Sequence, residues 1–283
     1  MSVASANQHK TLRAVFAHPD DEAFGTGGTL AHYAAAGVRV ALVCATRGEA
    51  GEISDPSLAT PETLGDVREK ELRCAAETLG IQEVIFLGYR DSGMAGTPEN
   101  DDPRAFINVP AAEVVPRLVG IMRRLRPQIV ITFEPNGIYG HPDHIAIHRH
   151  TVAAFRAAPD PASYPDQGEP WQPARLFYMA IPRSFFLTMR DRLIALGADA
   201  SEFARFEDFG WPDEQVHVTL DVTDDIADKW KSFFCHRTQF GPSNLFRHLP
   251  DDEVKTLMSR EHYALAWPEP KPGLQMDDLF AGL

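Results

Sequence analysis

Cysteine is scarce in this sequence, with three in 283 residues, at positions 44, 74 and 235. An odd, widely spaced set suits neither a disulfide framework nor a cysteine-based zinc site. Cys44 falls in an apolar strand-like run and Cys74 in a helical one. Buried free thiols in a reducing, cytoplasmic compartment are therefore expected. Positive charge is also short: 27 Lys and Arg stand against 40 Asp and Glu, for a formal net charge of −13. Without a basic stripe, nucleic acid is excluded as the main partner, because phosphate binding needs clustered cations. No apolar run reaches the roughly 18–20 residues that a membrane span needs. Residues 1–10 are polar, lack the apolar core of a secretory signal, and read as a flexible tail. Internal repeats and low-complexity tracts are missing too, which excludes solenoid architectures.

What is present is an alternation of two hydrophobic periods. Nearly continuous apolar runs at 12–17, 38–44, 84–87 and 128–133 predict strands. Helical spacing is found at 29–36, 66–79 and 114–125, with Gly37 and Gly80 closing the first two. Alternating strand and helix with apolar strands predicts an α/β fold: a Rossmann-like three-layer sandwich around a mainly parallel sheet. Residues 11–283 are expected to form one domain, with a catalytic core at 11–156 and C-terminal elements at 157–283 that complete the pocket. In the latter, 174–181 and 216–222 read as strands and 184–196, 224–235 and 251–259 as helices, beyond a proline-rich linker or surface loop at 157–173.

Ligands of such sheets bind beyond the carboxyl ends of the strands. The polar residues gather there. His18-Pro19-Asp20-Asp21-Glu22 follows the first strand, and His141-Pro142-Asp143-His144 follows the fourth. The first cluster alone is also compatible with an acidic helix start, since carboxylates favour the positive end of the helix dipole. Two His-Pro-Asp segments on one rim favour a metal site instead. Pro142 suits the first turn of a helix, which brings His144 one turn from His141. Imidazole with carboxylate suits zinc, and ferrous iron accepts the same donors. A hydrolytic site needs about three protein ligands and an open position. His18, Asp21 and His144 can supply the ligands, which leaves Asp20 as general base. Tyr139 and His141 remain to polarise a carbonyl or protonate a leaving amine, with Asp143 orienting His141.

These motifs resemble the PIG-L/LmbE family of de-N-acetylases, which includes the mycothiol-pathway and bacillithiol-pathway deacetylases. The resemblance rests on Ala17-His18-Pro19-Asp20-Asp21-Glu22 and on Asn136-Gly137-Ile138-Tyr139-Gly140-His141-Pro142-Asp143-His144. Secondary matches are Thr46-Arg47-Gly48-Glu49-Ala50-Gly51, Arg68 with Glu71, and His236-Arg237-Thr238-Gln239. It spans nearly the whole chain and is strongest over 12–156. It implies zinc on His18, Asp21 and His144, Asp20 as base, His141 backed by Asp143, and a mobile Tyr139. It also implies that Arg68 and Asp91 hold a sugar. The run from Arg90 to Gly96 makes a glucosaminide the expected substrate, with Glu49 and Met94 as further substrate candidates. The pattern departs at 53–66 and after Ala157, on the aglycone side, and Ala23-Phe24 makes one edge of the site more apolar.

The expected activity is thus hydrolysis of an N-acetyl amide on a small amino-sugar substrate. An amidase acting on a thiol–sugar conjugate is an alternative within the same chemistry. An alternative of another class is a nucleotide-binding oxidoreductase using Gly25-Thr26-Gly27-Gly28, but that spacing fails Gly-x-Gly-x-x-Gly and the neighbouring carboxylates repel a pyrophosphate. Self-association is left open by the sequence.

Overall fold

The computed structural model describes residues 10–195, 197, 209–242 and 244–283. The tail expected at 1–10 therefore lies outside it, apart from Lys10, and so does Leu196. Strand β1 (Thr11–Phe16) is buried at every position. β2 (Arg39–Thr46) is buried at all but its first. Runs of this kind need cover on both faces. β3 (Glu83–Tyr89), β4 (Ile129–Phe133) and β5 (Arg175–Met179) join them, all five in parallel. β6 (Val218–Asp221) and β7 (Arg260–Trp267) add an antiparallel flank, with β7 between β5 and β6. The seven-stranded order is β3-β2-β1-β4-β5-β7-β6. Helices α1 (Asp21–Ala35) and α2 (Leu64–Thr78) pack with α6 (Ile226–Phe233), whereas α3 (Ala111–Leu125) packs with α4 (Pro142–Ala157). α5 (Arg183–Ala195) and α7 (Asp251–Met258) complete the C-terminal part. The expected α/β sandwich with a mainly parallel sheet is what the chain forms.

Three expectations need correction. First, α1 begins at Asp21 and not at Thr29, so Gly25, Gly27 and Gly28 lie inside a helix. Interior glycine costs a helix about 1 kcal/mol relative to alanine. Here it is required by packing, because a Cβ on Gly25 would strike the Met179 side chain and one on Gly28 would strike Val222. The buried Glu261 carboxylate also accepts the backbone N–H groups of Gly28 (2.9 Å) and Thr29 (2.7 Å). These glycines bring a helix close to the sheet and form no phosphate loop.

Second, β7 was not anticipated. It opens with Arg260-Glu261-His262, which hides its strand character, yet Glu261 is buried and paired with Lys229 at 2.6 Å. Third, Cys74 and Cys235 are joined in a disulfide across a sequence separation of 161, with Cα atoms 5.7 Å apart. Cys74 lies on the exposed face of α2, so neither it nor Cys235 is the buried thiol expected; only Cys44 is buried and free. The proline-rich loop is no linker. Arg123 of α3 is buried beneath it and donates to the carbonyls of Ala158, Asp160, Ser163, Tyr164 and Gly168.

Thiol titration of the unfolded chain checks the pairing. One reactive thiol per chain is expected without reductant, and three after reduction; three in both conditions would remove the bridge.

Candidate active site

The strand order reverses between β1 and β4, and the loops beyond these two strands diverge around a crevice. His18 to Asp21 enter it from β1, and His141 to His144 enter it from β4. Asp21 opens α1. Its Oδ2 accepts the backbone N–H groups of His18 (2.7 Å) and Ala17 (3.1 Å), which fixes the carboxylate at the end of β1. Its Oδ1 lies 3.3 Å from His144 Nε2. The His144 ring stacks on Phe133 with centroids 3.9 Å apart, and its Nδ1 lies 3.3 Å from the Gly137 carbonyl oxygen. A proton on Nδ1, shared with that carbonyl, leaves Nε2 as a lone-pair donor. His18 Nδ1 lies 3.3 Å from His144 Nε2 and 3.7 Å from Asp21 Oδ2.

These three side chains form a triangle with approaches of 3.3–3.7 Å, in which Asp21 faces His144 with Oδ1 and His18 with Oδ2. Tetrahedral zinc with bonds of about 2.0–2.1 Å sets its ligands about 3.3–3.4 Å apart. The donor set and its spacing fit a divalent metal. The electrostatics agree. Burial would lower the His18 imidazole, but Asp91, Asp143 and Asp21 outweigh it and hold its pKa well above the usual value. Burial would raise Asp21, but His144 and His18 hold it below the carboxylate range. A pocket that stabilises positive charge this strongly also suits a cation.

Two sets of three ligand atoms lie within 4.8 Å of one another, His18–His141–His144 and His18–Asp91–Asp143, both distinct from the triangle with Asp21. The second gathers on the far nitrogen of His18. Nε2 lies 3.1 Å from Asp143 Oδ2 and 3.5 Å from Asp91 Oδ1. Carboxylates behind an imidazole orient it as a metal ligand. Asp143 is itself fixed by the Ser92 N–H at 2.9 Å. This corrects the expectation that Asp143 orients His141: its carboxylate serves His18, and only its backbone N–H reaches His141 Nδ1, at 3.2 Å. That contact makes Nδ1 an acceptor and leaves His141 with its proton on Nε2. Burial, then His18 and His144, push His141 down to about 3, so the ring is neutral.

Asp20 is the carboxylate left over, at the cavity mouth with 36% of its side chain exposed. Burial, opposed by Arg68 and reinforced by Asp21, raises it to about 6. Its backbone is unusual, with φ 115°, a region that non-glycine residues seldom enter. Two groups hold it there. Arg68 donates to the Pro19 carbonyl (2.6 Å), to the Gly48 carbonyl (2.9 Å) and to Asp20 Oδ2 (3.1 Å). Glu22 accepts the Asp20 N–H at 3.0 Å and is in turn 2.6 Å from His236 Nε2. Burial would lower His236, but Glu22 and Asp20 raise it.

Tyr139 faces the same cavity and is 42% exposed. Burial of its hydroxyl, then Asp21 and Asp20, keep the phenol protonated. It is presented by a tight turn in which Ile138 has φ 65° and ψ −66°, a strained γ-turn geometry. The Glu134 carboxylate secures that turn through the N–H groups of Asn136 and Ile138, both at 2.6 Å.

The cavity of about 410 Å³ is lined by Asp20, Asp21, Tyr139, His144 and Met94 among the expected residues. The others lie behind it. His141 packs between His18 and His144, Arg68 is buried under Asp20, and Asp91 is buried against His18. Glu49 accepts the Asp91 N–H at 3.2 Å and lines a separate surface groove. His148 donates to or accepts from nothing in the triangle; its Nδ1 lies 2.8 Å from the Phe133 carbonyl oxygen. Sequence reasoning missed Glu134 and the linkage of Glu22 to His236. The second pairing spans 214 residues, so only the His236 motif hinted at it.

A family model described as GlcNAc-PI de-N-acetylase, PIG-L, matches residues 13–155. The chain belongs to the PIG-L family. It is 41% identical to the 1D-myo-inositol 2-acetamido-2-deoxy-alpha-D-glucopyranoside deacetylase of Geodermatophilus obscurus, over 97% of this chain and 98% of that protein. Among solved structures it matches the N,N'-diacetylchitobiose deacetylase of Pyrococcus horikoshii with a TM-score of 0.64 and 21% identity, covering 97% of this chain and 89% of that one. It also matches a 4-carboxy-2-hydroxymuconate hydratase from Pseudomonas putida, with a TM-score of 0.62 and 19% identity over 94% of this chain and 99% of that one. Likeness at such identities shows the fold alone, and the hydratase shows that this fold carries more than one chemistry. Membership of the family makes the chain a deacetylase, a hydrolase of amide bonds. Within the described residues, no helix is long and apolar enough to cross a membrane.

The two imidazole groupings predict different metal-binding phenotypes. Asp143→Asn is expected to weaken zinc binding by about 10- to 100-fold, as loss of an orienting carboxylate does. His141→Ala is expected to keep one zinc per chain by elemental analysis after dialysis. Loss of zinc in His141→Ala would place that residue among the ligands.

Proposed function

We propose that this chain is a metal-dependent de-N-acetylase acting on an N-acetylglucosaminide. The observation that carries the reading is the juxtaposition of the His18–Asp21–His144 triangle, whose Asp21 and His144 line the cavity, with the Asp20 carboxylate, which stands outside the triangle on Arg68, and the Tyr139 phenol. The names of its relatives support the amide of a glucosaminyl inositol as the first substrate to assay.

His18, Asp21 and His144 would hold a divalent metal, zinc or ferrous iron, which would supply Lewis acidity for the acetyl carbonyl and for water. The chain supplies the remainder. Asp20, raised towards neutrality, takes the proton of the attacking water. Arg68 and Glu22 keep it in its strained backbone geometry, so the base does not swing away. The Tyr139 hydroxyl, which faces the cavity, donates to the oxyanion as it forms, and the neutral His141 packs behind the two imidazoles of the triangle. Protonated Asp20 then returns its proton to the departing amine, which leaves as the free amino sugar beside acetate.

The mechanism is checked by acetate release from zinc-loaded protein. Asp20→Asn is expected to retain zinc and to lose about 10²- to 10⁴-fold in kcat. Near-normal turnover in that variant would remove Asp20 as the base. Tyr139→Phe is expected to lower kcat by about 10²-fold with little change in KM, the pattern of a contact made in the transition state. A rise in KM alone would reassign Tyr139 to ground-state binding.

A further inference from the structure

We infer that the substrate's amino sugar carries an apolar group, and that the phenylalanine-rich end of the catalytic cavity receives it. The inference rests on the deacetylase reading and narrows its substrate. The polar lining is concentrated at the catalytic end. Beyond it the wall is built from Phe24, Phe186, Phe209, Phe233, Phe240 and Phe246. Phe24 lies three residues after Asp21 on α1, so the apolar wall starts within one turn of the reacting centre. Its ring meets Phe246 at 5.4 Å and Phe233 at 6.4 Å between centroids, and Phe233 meets Phe240 at 5.1 Å. Phe24, Phe233, Phe240 and Phe246 are therefore one connected aromatic cluster, and Phe186 and Phe209 form a second pair at 5.8 Å. Phe233 and Phe240 are buried in one apolar cluster with Trp230, Leu249 and Val254, and Phe24 and Phe246 pack against that cluster, so these four rings have a firm support. Phe24, Phe186, Phe209 and Phe246 are only half-buried, which leaves aromatic surface open to the cavity.

A polyol finds few partners on this wall. Beyond the catalytic end, only Gln239 and Asn244 among the described lining residues bring hydrogen-bonding side chains. Gln239 Nε2 already donates to the Glu52 carbonyl at 2.8 Å and to Thr238 Oγ1 at 3.2 Å. Asn244 Oδ1 already accepts the Phe246 N–H at 3.1 Å. An inositol or a second sugar placed here would lose water from several hydroxyls without replacing those bonds. An alkyl or aryl group loses nothing and covers the exposed rings. The group can be the aglycone or a longer N-acyl chain; both present the same chemistry to the wall. The departures from the family pattern noted at Ala23-Phe24 and after Ala157 contribute this surface.

The test uses the zinc-loaded full chain and two substrate series. One holds the N-acetyl group constant and varies the aglycone through methyl, butyl, hexyl and phenyl, with the inositol glycoside included. The other holds a methyl aglycone and varies the acyl group through acetyl, butanoyl and hexanoyl. In one series kcat/KM is expected to rise by about threefold or more per methylene, and the series that rises locates the group. Phe246→Ser and Phe24→Ser are each expected to reduce the hexyl-to-methyl ratio by about tenfold. That ratio is read within each variant, so it does not depend on the fraction that folds. Flat responses in both series, or an inositol glycoside preferred over the hexyl one, would overturn the inference and leave the deacetylase reading intact. If no member is cleaved, the proposed reaction fails. Calorimetric titration with the same glycosides then still reads the subsite: tighter binding of hexyl supports it, and equal Kd along the series overturns it.

Discussion

The imidazole of His18 is divided between two jobs, and the site depends on that division. Nδ1 completes a triangle with Asp21 and His144, while Nε2 is taken by Asp143 and faces Asp91. Neither half stands without the other. A ring free to rotate would offer the triangle the wrong nitrogen or none, and carboxylates buried behind it would lack a partner. Because the loop after β1 carries His18 and the first turn of α4, beyond β4, carries Asp143 and His144, the pairing also locks the two sides of the sheet's switch point together. One buried interaction therefore sets both the geometry of the centre and the closeness of the strands that build it.

The rest of the chain serves that centre in layers. Arg68 on α2 and Glu22 on α1 hold Asp20 in a conformation it would not adopt alone. The C-terminal elements reach the same point from the opposite direction. His236 backs Glu22, and the Thr238 N–H and hydroxyl both donate to Glu71 of α2, at 2.8 and 2.6 Å. The Cys74–Cys235 bridge joins the same helix to the same turn. The C-terminal third thus fastens Asp20, the proposed base, with its polar residues and contributes most of the aromatic wall with its apolar ones.

The core of this arrangement was legible in the sequence because its signals are local. Apolar runs marked all five strands of the sheet's parallel part, and β6 as well, and both His-Pro-Asp segments fell where parallel strands end. What stayed hidden was decided by partners far away in the chain. Glycines in α1 discouraged a helix until the packing against Met179 and Val222 explained them. β7 was masked by a charged start whose glutamate is neutralised by Lys229. The disulfide joins cysteines 161 residues apart, which spacing alone cannot pair. Asp143 was assigned to His141, its sequence neighbour, whereas its carboxylate crosses to His18, 125 residues away. Adjacency in the chain favoured the wrong imidazole, and only the three-dimensional contact corrects it.

Zinc-edge X-ray absorption on the metal-loaded protein tests the division of His18 most directly. Two imidazoles and a carboxylate predict a first shell of nitrogen and oxygen only, at about 2.0–2.1 Å, with the outer-shell scattering of two rings. In His141→Ala that spectrum should be unchanged, and in His18→Ala one ring's contribution should disappear. A three-imidazole signature that falls to two in His141→Ala would contradict the account.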